Sequence, residues 1–302
     1  MTAALETPSA DRPRKSGRFD MAPECRERLA LLALVSPATL VIAALLIVPL
    51  AWLFAISLLD EGGRFTLHNY AMIFSDRSYI DSFVLTLWMS LLVTIFCVIA
   101  GFIVSYALTL MPSKLAALCL ALIALPFWTS VLVRTYAWLV LLQHRGVVNT
   151  TLLKLGIVSE PLYLTQNRIG VLIGMAHIML PFMVFPLYAT LKRIDPDHMK
   201  AALALGSSPT YAFWHVYFPQ TIVGLASGGI LVFVMSLGFY ITPALLGGGK
   251  TFVIAMTIER DVNVNTSWGP ASAVGISFVV GVVILFGLMS RYVSMDRIFV
   301  RE

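Results

Sequence analysis

Asp195-Pro196-Asp197-His198-Met199-Lys200-Ala201-Ala202-Leu203-Ala204-Leu205-Gly206 is a polar island between two apolar runs, Ile169–Leu191 and Thr221–Leu246. Each run is long enough to cross a bilayer, which takes about 20 largely apolar residues. A lipid-buried backbone must satisfy its own polar groups, so such runs are read as helices. The island closes with Val216-Tyr217-Phe218-Pro219. A small-residue pair, a glycine four positions later and an apolar-x-apolar-Pro string predict a helix–turn–helix with a smooth apolar face. Such an element can dock into a cleft on a soluble partner, so energy could enter the protein here from outside the chain.

Working outward, four more runs of the same grade appear: about Leu29–Leu58, Phe83–Leu110, Leu115–Leu142 and Ala271–Ser290. Over 302 residues the chain is 59% hydrophobic and 12% charged, against roughly 25% charged for a soluble domain. The fold class expected is an all-α polytopic membrane protein with six transmembrane helices. Residues 1–28 read as a flexible cytoplasmic tail, residues 29–302 as one six-span domain, and the docking loop as about residues 192–220. The first apolar run is too long for a signal-peptide core, so an uncleaved anchor is expected.

Basic residues set the orientation. With both termini on one side, that side holds Arg12, Arg14, Lys15, Arg18, Arg26, Arg28, Lys114, Lys192, Arg193, Lys200, Arg291, Arg297 and Arg301. The other side holds only Arg64, Arg77, Arg145, Lys154, Arg168, Lys250 and Arg260. Lys and Arg favour the cytoplasm, which puts both termini and the polar island there. The pI of about 9.2 is then a matter of topology, and no basic patch interleaved with aromatics points to nucleic acid. On the outer side, Thr150 is expected to cap a short helix that Gly156 ends.

Several fragments of catalytic motifs fail on their residues. Gly249-Lys250-Thr251 ends like a phosphate-binding loop, but Ala244 stands where the first glycine belongs. Leu225-Ala226-Ser227-Gly228 has Leu where an intramembrane serine protease needs Gly, and its small residues suit close helix packing. The histidines show no metal-ligand spacing, and the three cysteines form neither a disulfide framework nor a CxxC pair. No catalytic set and no metal site is read.

Ionisable groups inside apolar runs are functional suspects because they are costly there. Arg134 and His177 qualify. Counted from the cytoplasmic end of its 28-residue run, Arg134 arrives near the outer interface. Neither has a carboxylate in a neighbouring run, which weighs against a proton relay. Pro126, Pro181, Pro186 and Pro243 with Gly224, Gly228, Gly229 and Gly238 concentrate in the third to fifth runs. They permit kinks and close contacts.

The island resembles the cytoplasmic loop of binding-protein-dependent ABC importer permeases, the MetI-like family, written Glu-Ala-Ala-x3-Gly-x9-Ile-x-Leu-Pro. Ala201, Ala202, Gly206, Val216, Phe218 and Pro219 fall at the family spacing, between the fourth and fifth of six runs. Lys200 departs from it, a base where the family has an acid, with Asp197 one turn earlier. Leu125-Pro126-Phe127-Trp128-Thr129-Ser130, Leu180-Pro181-Phe182 and Gly238-Phe239-Tyr240-Ile241-Thr242-Pro243 resemble the spermidine/putrescine branch.

The resemblance covers most of the chain from about residue 30. It implies a MetI-like permease fold in the bacterial inner membrane, whose coupling loop sits in a groove of a cytoplasmic ATPase subunit. The implied partners are a second, related permease in a heterodimer, two ATPase subunits and a periplasmic substrate-binding protein. This chain itself would bind no cofactor; ATP and magnesium would sit on the ATPase. The implied cargo is a polyamine or related small amine, with an opine, an aminophosphonate or an amino-acid derivative as alternatives. A secondary transporter is the other-class alternative, which would call for an inverted repeat or membrane-embedded carboxylates. For a polycation, aromatic faces offer cation–π contacts, and Trp128, Tyr136, Phe239 and Tyr240 are the candidates, with Arg134 in the pathway and Glu259 and Asp261 at the outer mouth.

Overall fold

The computed structural model describes residues 23–60 and 62–292, with side chains over 34–60 and 62–287. Most of the expected N-terminal tail, and Arg297 and Arg301, lie outside the described residues. The chain divides into two compact units, residues 1–52 and 53–302. Helix α1 (Pro23–Ser57) supplies all that is described of the first and runs into the second. The second continues with α2 (His68–Ser75), α3 (Arg77–Leu110), α4 (Ser113–Ala124), α5 (Val131–Leu142), α6 (Val147–Lys154) and α7 (Arg168–Leu191). Then come α8 (Pro196–Ala204), α9 (Pro209–Ala212), α10 (Phe218–Leu237), α11 (Ile241–Leu246), α12 (Ile254–Asn263) and α13 (Trp268–Tyr292). Among the described residues there is no strand, only an isolated bridge between Leu59 and Phe65.

Among the described residues five helices are long and apolar enough to cross a membrane, and a sixth crossing exists if a bent pair is one span. That pair is the third apolar run. Expected as a continuous Leu115–Leu142 helix, it is broken between Trp128 and Val131 and turns through 102°. The sequence carries both signals. Pro126 sits in a closing 3₁₀ turn, Leu125–Trp128, whose end is held by Thr129 Oγ1 donating to Pro126 O at 2.8 Å. Ser130 then caps α5, its hydroxyl accepting from Leu132 N at 3.2 Å. The fifth run is divided too, with α10 ending at Leu237 and α11 starting at Ile241.

The buried core of the second unit is α3, α7 and α10. Met89, Val93 and Cys97 of α3 meet Val171, Met175, Met179, Met183 and Leu187 of α7, with Val232 of α10 and Leu246 of α11. Small residues let the backbones approach. A Cβ on Gly101 would stand 2.6 Å from Met183 Cγ, and one on Gly228 would stand 2.7 Å from Met183 Sδ. Met183 is therefore wedged between α3 and α10, as the small-residue reading of Gly228 anticipates. Polar side chains cross between helices: Ser105 Oγ donates to Val184 O at 3.3 Å, and Cys97 Sγ to Ala176 O at 3.5 Å.

The loops expected on the outer side are held by polar side chains. Asp76 caps α3 by accepting from Ser78 N at 2.8 Å, and that bond holds its carboxyl below the ordinary carboxylate range. Asn69 Nδ2 donates to Ser57 O and Leu59 O. Helix α12 is clamped to the first turns of α3: Tyr79 OH donates to Asp261 Oδ2 at 3.0 Å, Thr257 Oγ1 to Ser82 Oγ at 2.9 Å, and Ile254 N to Thr86 Oγ1 at 2.8 Å. Helix α6 is capped at Gly146, not Thr150, because its first turn lies four residues earlier than expected. Gly156 does follow its end, with φ +66°.

Candidate functional site: a docking loop and two broken helices

Residues 192–220 fold as a helix–turn–helix. Asp195 caps α8, its carboxylate accepting from Asp197 N at 2.9 Å, and Pro196 begins the helix where a missing N–H costs nothing. Gly206 ends α8 with φ +88°, a left-handed position that Gly occupies without strain. Ser208 and Pro209 start the next helix, which runs without interruption from Pro209 to Leu237. Pro219 lies inside it and not at its start. The turn below Pro219 is π-helical, Phe213–Tyr217. A proline removes one ladder bond and crowds the carbonyl four residues back, and a wider turn accommodates both.

No residue of α8 is buried. Asp197, Lys200, Ala201 and Gly206 are exposed, and Ala202 is half-buried. Lys200 Nζ pairs with Asp197 Oδ1 at 2.6 Å, both side chains in the open. The base at the family's acidic position is thus neutralised within its own helix. Val216 and Phe218 are half-buried and belong to the support of the loop. Beneath it, Phe102 and Tyr106 of α3 hold Phe213, Tyr217 and Phe218 through ring contacts at 5.6 to 6.4 Å between centroids.

Two features of this loop escape a motif reading. His198 Nδ1 meets Gln220 Oε1 at 3.1 Å, tying α8 to α10. Leu205 is 89% exposed, with Leu203, Tyr211 and Trp214 also exposed. Apolar side chains on an otherwise polar loop mark a protein interaction surface. Their signal in the sequence is weak, because apolar letters are common throughout this chain.

The pathway candidates divide into two groups. Trp128, Arg134 and Tyr136 flank the break before α5, and Phe239 and Tyr240 form the break before α11. These half-helices pack together, joined by Thr135 Oγ1 and Thr242 Oγ1 at 3.1 Å. The structure thus gathers the elements carrying five of the seven candidates. Trp128 is 84% exposed, Tyr136 and Tyr240 are also exposed, and Phe239 packs on the core. Arg134 sits one turn into α5, and its Nε is buried with no hydrogen-bond partner among the described residues. The break, rather than a linear count along one helix, fixes its position.

Glu259 and Asp261 lie apart from these, on α12. Asp261 is 1% exposed, and both carboxylate oxygens are engaged within the chain, by Tyr79 OH and by Asn265 Nδ2 at 2.9 Å. In this conformation it fastens α12 to α3. Glu259 is half-buried and accepts from Asn263 Nδ2 at 3.1 Å. No group of three or more His, Cys, Asp or Glu side chains arranged for a metal occurs among the described residues.

Residues 30–294 match the family model described as binding-protein-dependent transport system inner membrane component. The spermidine/putrescine transport system permease protein PotB of Haemophilus influenzae is 31% identical over 251 residues, 81% of this chain and 87% of that protein. PotB of Escherichia coli is 32% identical over 223 residues, 73% and 81% of the two chains. In fold, the chain is similar to a bacterial ABC transporter that imports the acidic polysaccharide alginate, with a TM-score of 0.70 at 18% identity, covering 92% of this chain and 98% of that one. The alginate transporter in complex with a pentasaccharide-bound periplasmic protein gives 0.71 at 19% identity, covering 89% and 96%. On this match over most of its length, the chain belongs to the binding-protein-dependent ABC importer permeases of the inner membrane.

Proposed function

We propose that this permease carries polyamines, spermidine or putrescine, across the inner membrane as one half of a heterodimeric pathway. The observation that carries this reading is the 31% identity to PotB over 81% of the chain. The chain would cross the membrane six times with both termini cytoplasmic, α4 and α5 together making the third span, and residues 1–28 would form a cytoplasmic tail. Two ATPase subunits would bind ATP and magnesium, this chain binding neither. One of them would receive α8, with Asp197, Lys200, Ala201 and Ala202 on the contact face and Gly206 shaping the turn.

A loaded binding protein would dock on the outer loops, and closure of the ATPases would move α8 and the helix beyond it. Substrate would pass beside the paired breaks, where Trp128, Tyr136, Phe239 and Tyr240 offer ring faces to an ammonium group. Arg134 would act there as a like charge that keeps a polycation from resting.

The test is ATPase activity of the reconstituted complex, challenged with binding protein loaded with spermidine, putrescine, an opine or an aminophosphonate. Stimulation by the polyamines alone, abolished by Gly206→Pro, supports the reading. Stimulation by another cargo alone overturns the polyamine assignment and leaves the ABC importer intact.

A further inference from the structure

A cavity of about 530 Å³ opens between the first turns of α3, the start of α7, the loop after α11 and α12. Arg168, Lys250 and Arg260 line it, each from a different element. Only seven basic residues fall on the outer side by the charge count, so three of them are concentrated in one cavity on the side that has few. A single carboxylate, Asp81, shares the lining, and it already lies 4.0 Å from Arg77.

The convergence is built by specific contacts. Gly248 and Gly249 turn the chain with φ +56° and +72°, and a Cβ on Gly248 would collide with Gln166 Cβ. That close approach, with Asn167 N donating to Leu246 O at 3.2 Å, brings Lys250 to the start of α7 and Arg168. Arg260 is placed by the clamp of α12 on α3 through Asp261 and Thr257. Its nearest acid, Asp261, is 3.8 Å away with both oxygens already engaged, and Arg260 Nε is buried with no hydrogen-bond partner among the described residues.

Below the charged rim the cavity becomes apolar. Val84, Leu85 and Trp88 line it there, on the helix face that also carries Asp81, at three- and four-residue spacing. Trp88 lies about 10 Å further along α3 than Asp81, at 1.5 Å per residue. Val84 and Trp88 are exposed. A cationic rim above an apolar strip fits a molecule with an anionic head and a hydrocarbon tail. It does not fit a polyamine, which the three bases would repel.

We propose that this cavity binds a phosphate group, and that its source is the head of an anionic phospholipid of the outer leaflet whose chain lies along Val84 and Trp88. Arg168, Lys250 and Arg260 contact the phosphate, as guanidinium and ammonium groups do with charge-assisted bonds. The site is separate from the transport reading and stands whatever the cargo.

The full-length permease, purified in its complex, is probed with phosphatidylglycerol, phosphatidylcholine and inorganic phosphate, following thermal stability and lipid retention by native mass spectrometry. Phosphatidylglycerol is expected to be retained and to raise the unfolding temperature, with phosphatidylcholine and inorganic phosphate ineffective. Lys250→Gln with Arg260→Gln weakens that binding about a hundredfold, the scale of two lost charge-assisted bonds. Trp88→Ala weakens it too, while both variants unfold as the parent does without lipid. Equal retention of both lipids, or variants that bind as the parent does, overturns the proposal. A shift reproduced by inorganic phosphate and indifferent to Trp88→Ala assigns the site to free phosphate and overturns the lipid source. Lost capture of the binding protein with lipid retention unchanged assigns the bases to protein docking and overturns it as well.

Discussion

Lys200 Nζ lies 2.6 Å from Asp197 Oδ1, one turn back on the same exposed helix. The pair leaves α8 locally neutral where the family pattern has an acid. Exposed pairs of this kind contribute under about 1 kcal/mol, so its role is to set the charge of the surface. Lys200→Ala is expected to leave the unfolding temperature unchanged and to reduce retention of the ATPase subunit, because it uncovers Asp197. Thermal unfolding beside quantitative co-purification checks both halves.

Gly206 turns the loop with φ +88°, and a Cβ there would meet nothing within 4 Å. Only backbone conformation opposes a side chain. Gly206→Ala should cost about 1–2 kcal/mol, Gly206→Asn less, and Gly206→Pro should abolish the turn. Binding-protein-stimulated ATPase activity is expected to fall in the order Gly, Asn, Ala, Pro.

Gly101 and Met183 form the tightest glycine contact between α3 and α7. Gly101→Ala should destabilise by about 1–3 kcal/mol through overpacking. Met183→Ala should cost about 2–5 kcal/mol by leaving a cavity. The double variant should cost clearly less than the sum, because one change makes room for the other. A double-mutant cycle on unfolding of the purified protein reads this directly.

Asp261 accepts from Tyr79 and Asn265 in a buried setting. Asp261→Asn presents an amide to at least one of those donors and should cost about 1–3 kcal/mol. Tyr79→Phe should cost a comparable amount. Transport KM in the surviving fraction is expected to stay unchanged; a raised KM with unaltered stability would return Asp261 to the pathway.

Much of this architecture is legible in the letters, for physical reasons. The apolar runs locate the long helices, and Gly206 ends α8 because few other residues take its φ. The break at Thr129-Ser130 is written in Leu125-Pro126-Phe127-Trp128-Thr129-Ser130, but a sum of apolar letters cannot register a Ser that caps from inside a hydrophobic run. The packing of α5 on α11 through Thr135 and Thr242, 107 residues apart, is tertiary. So is the burial of Asp261, whose donors lie 182 residues before it and four after. A carboxylate placed in a loop by sequence is indistinguishable from one at a pore mouth until its donors are known.

The helix from Pro209 to Leu237 is unbroken over 29 residues, about 43 Å at 1.5 Å per residue. It begins with the exposed ring of Tyr211 and carries Gly224 and Gly228, whose backbones touch Thr190 and Met183 of α7. It is therefore a lever with its handle outside the core and its fulcrum at two glycines. In the coupling we propose, a push on Tyr211 would reach α7 as sliding at contacts that have no glycine side chain to bend and absorb it.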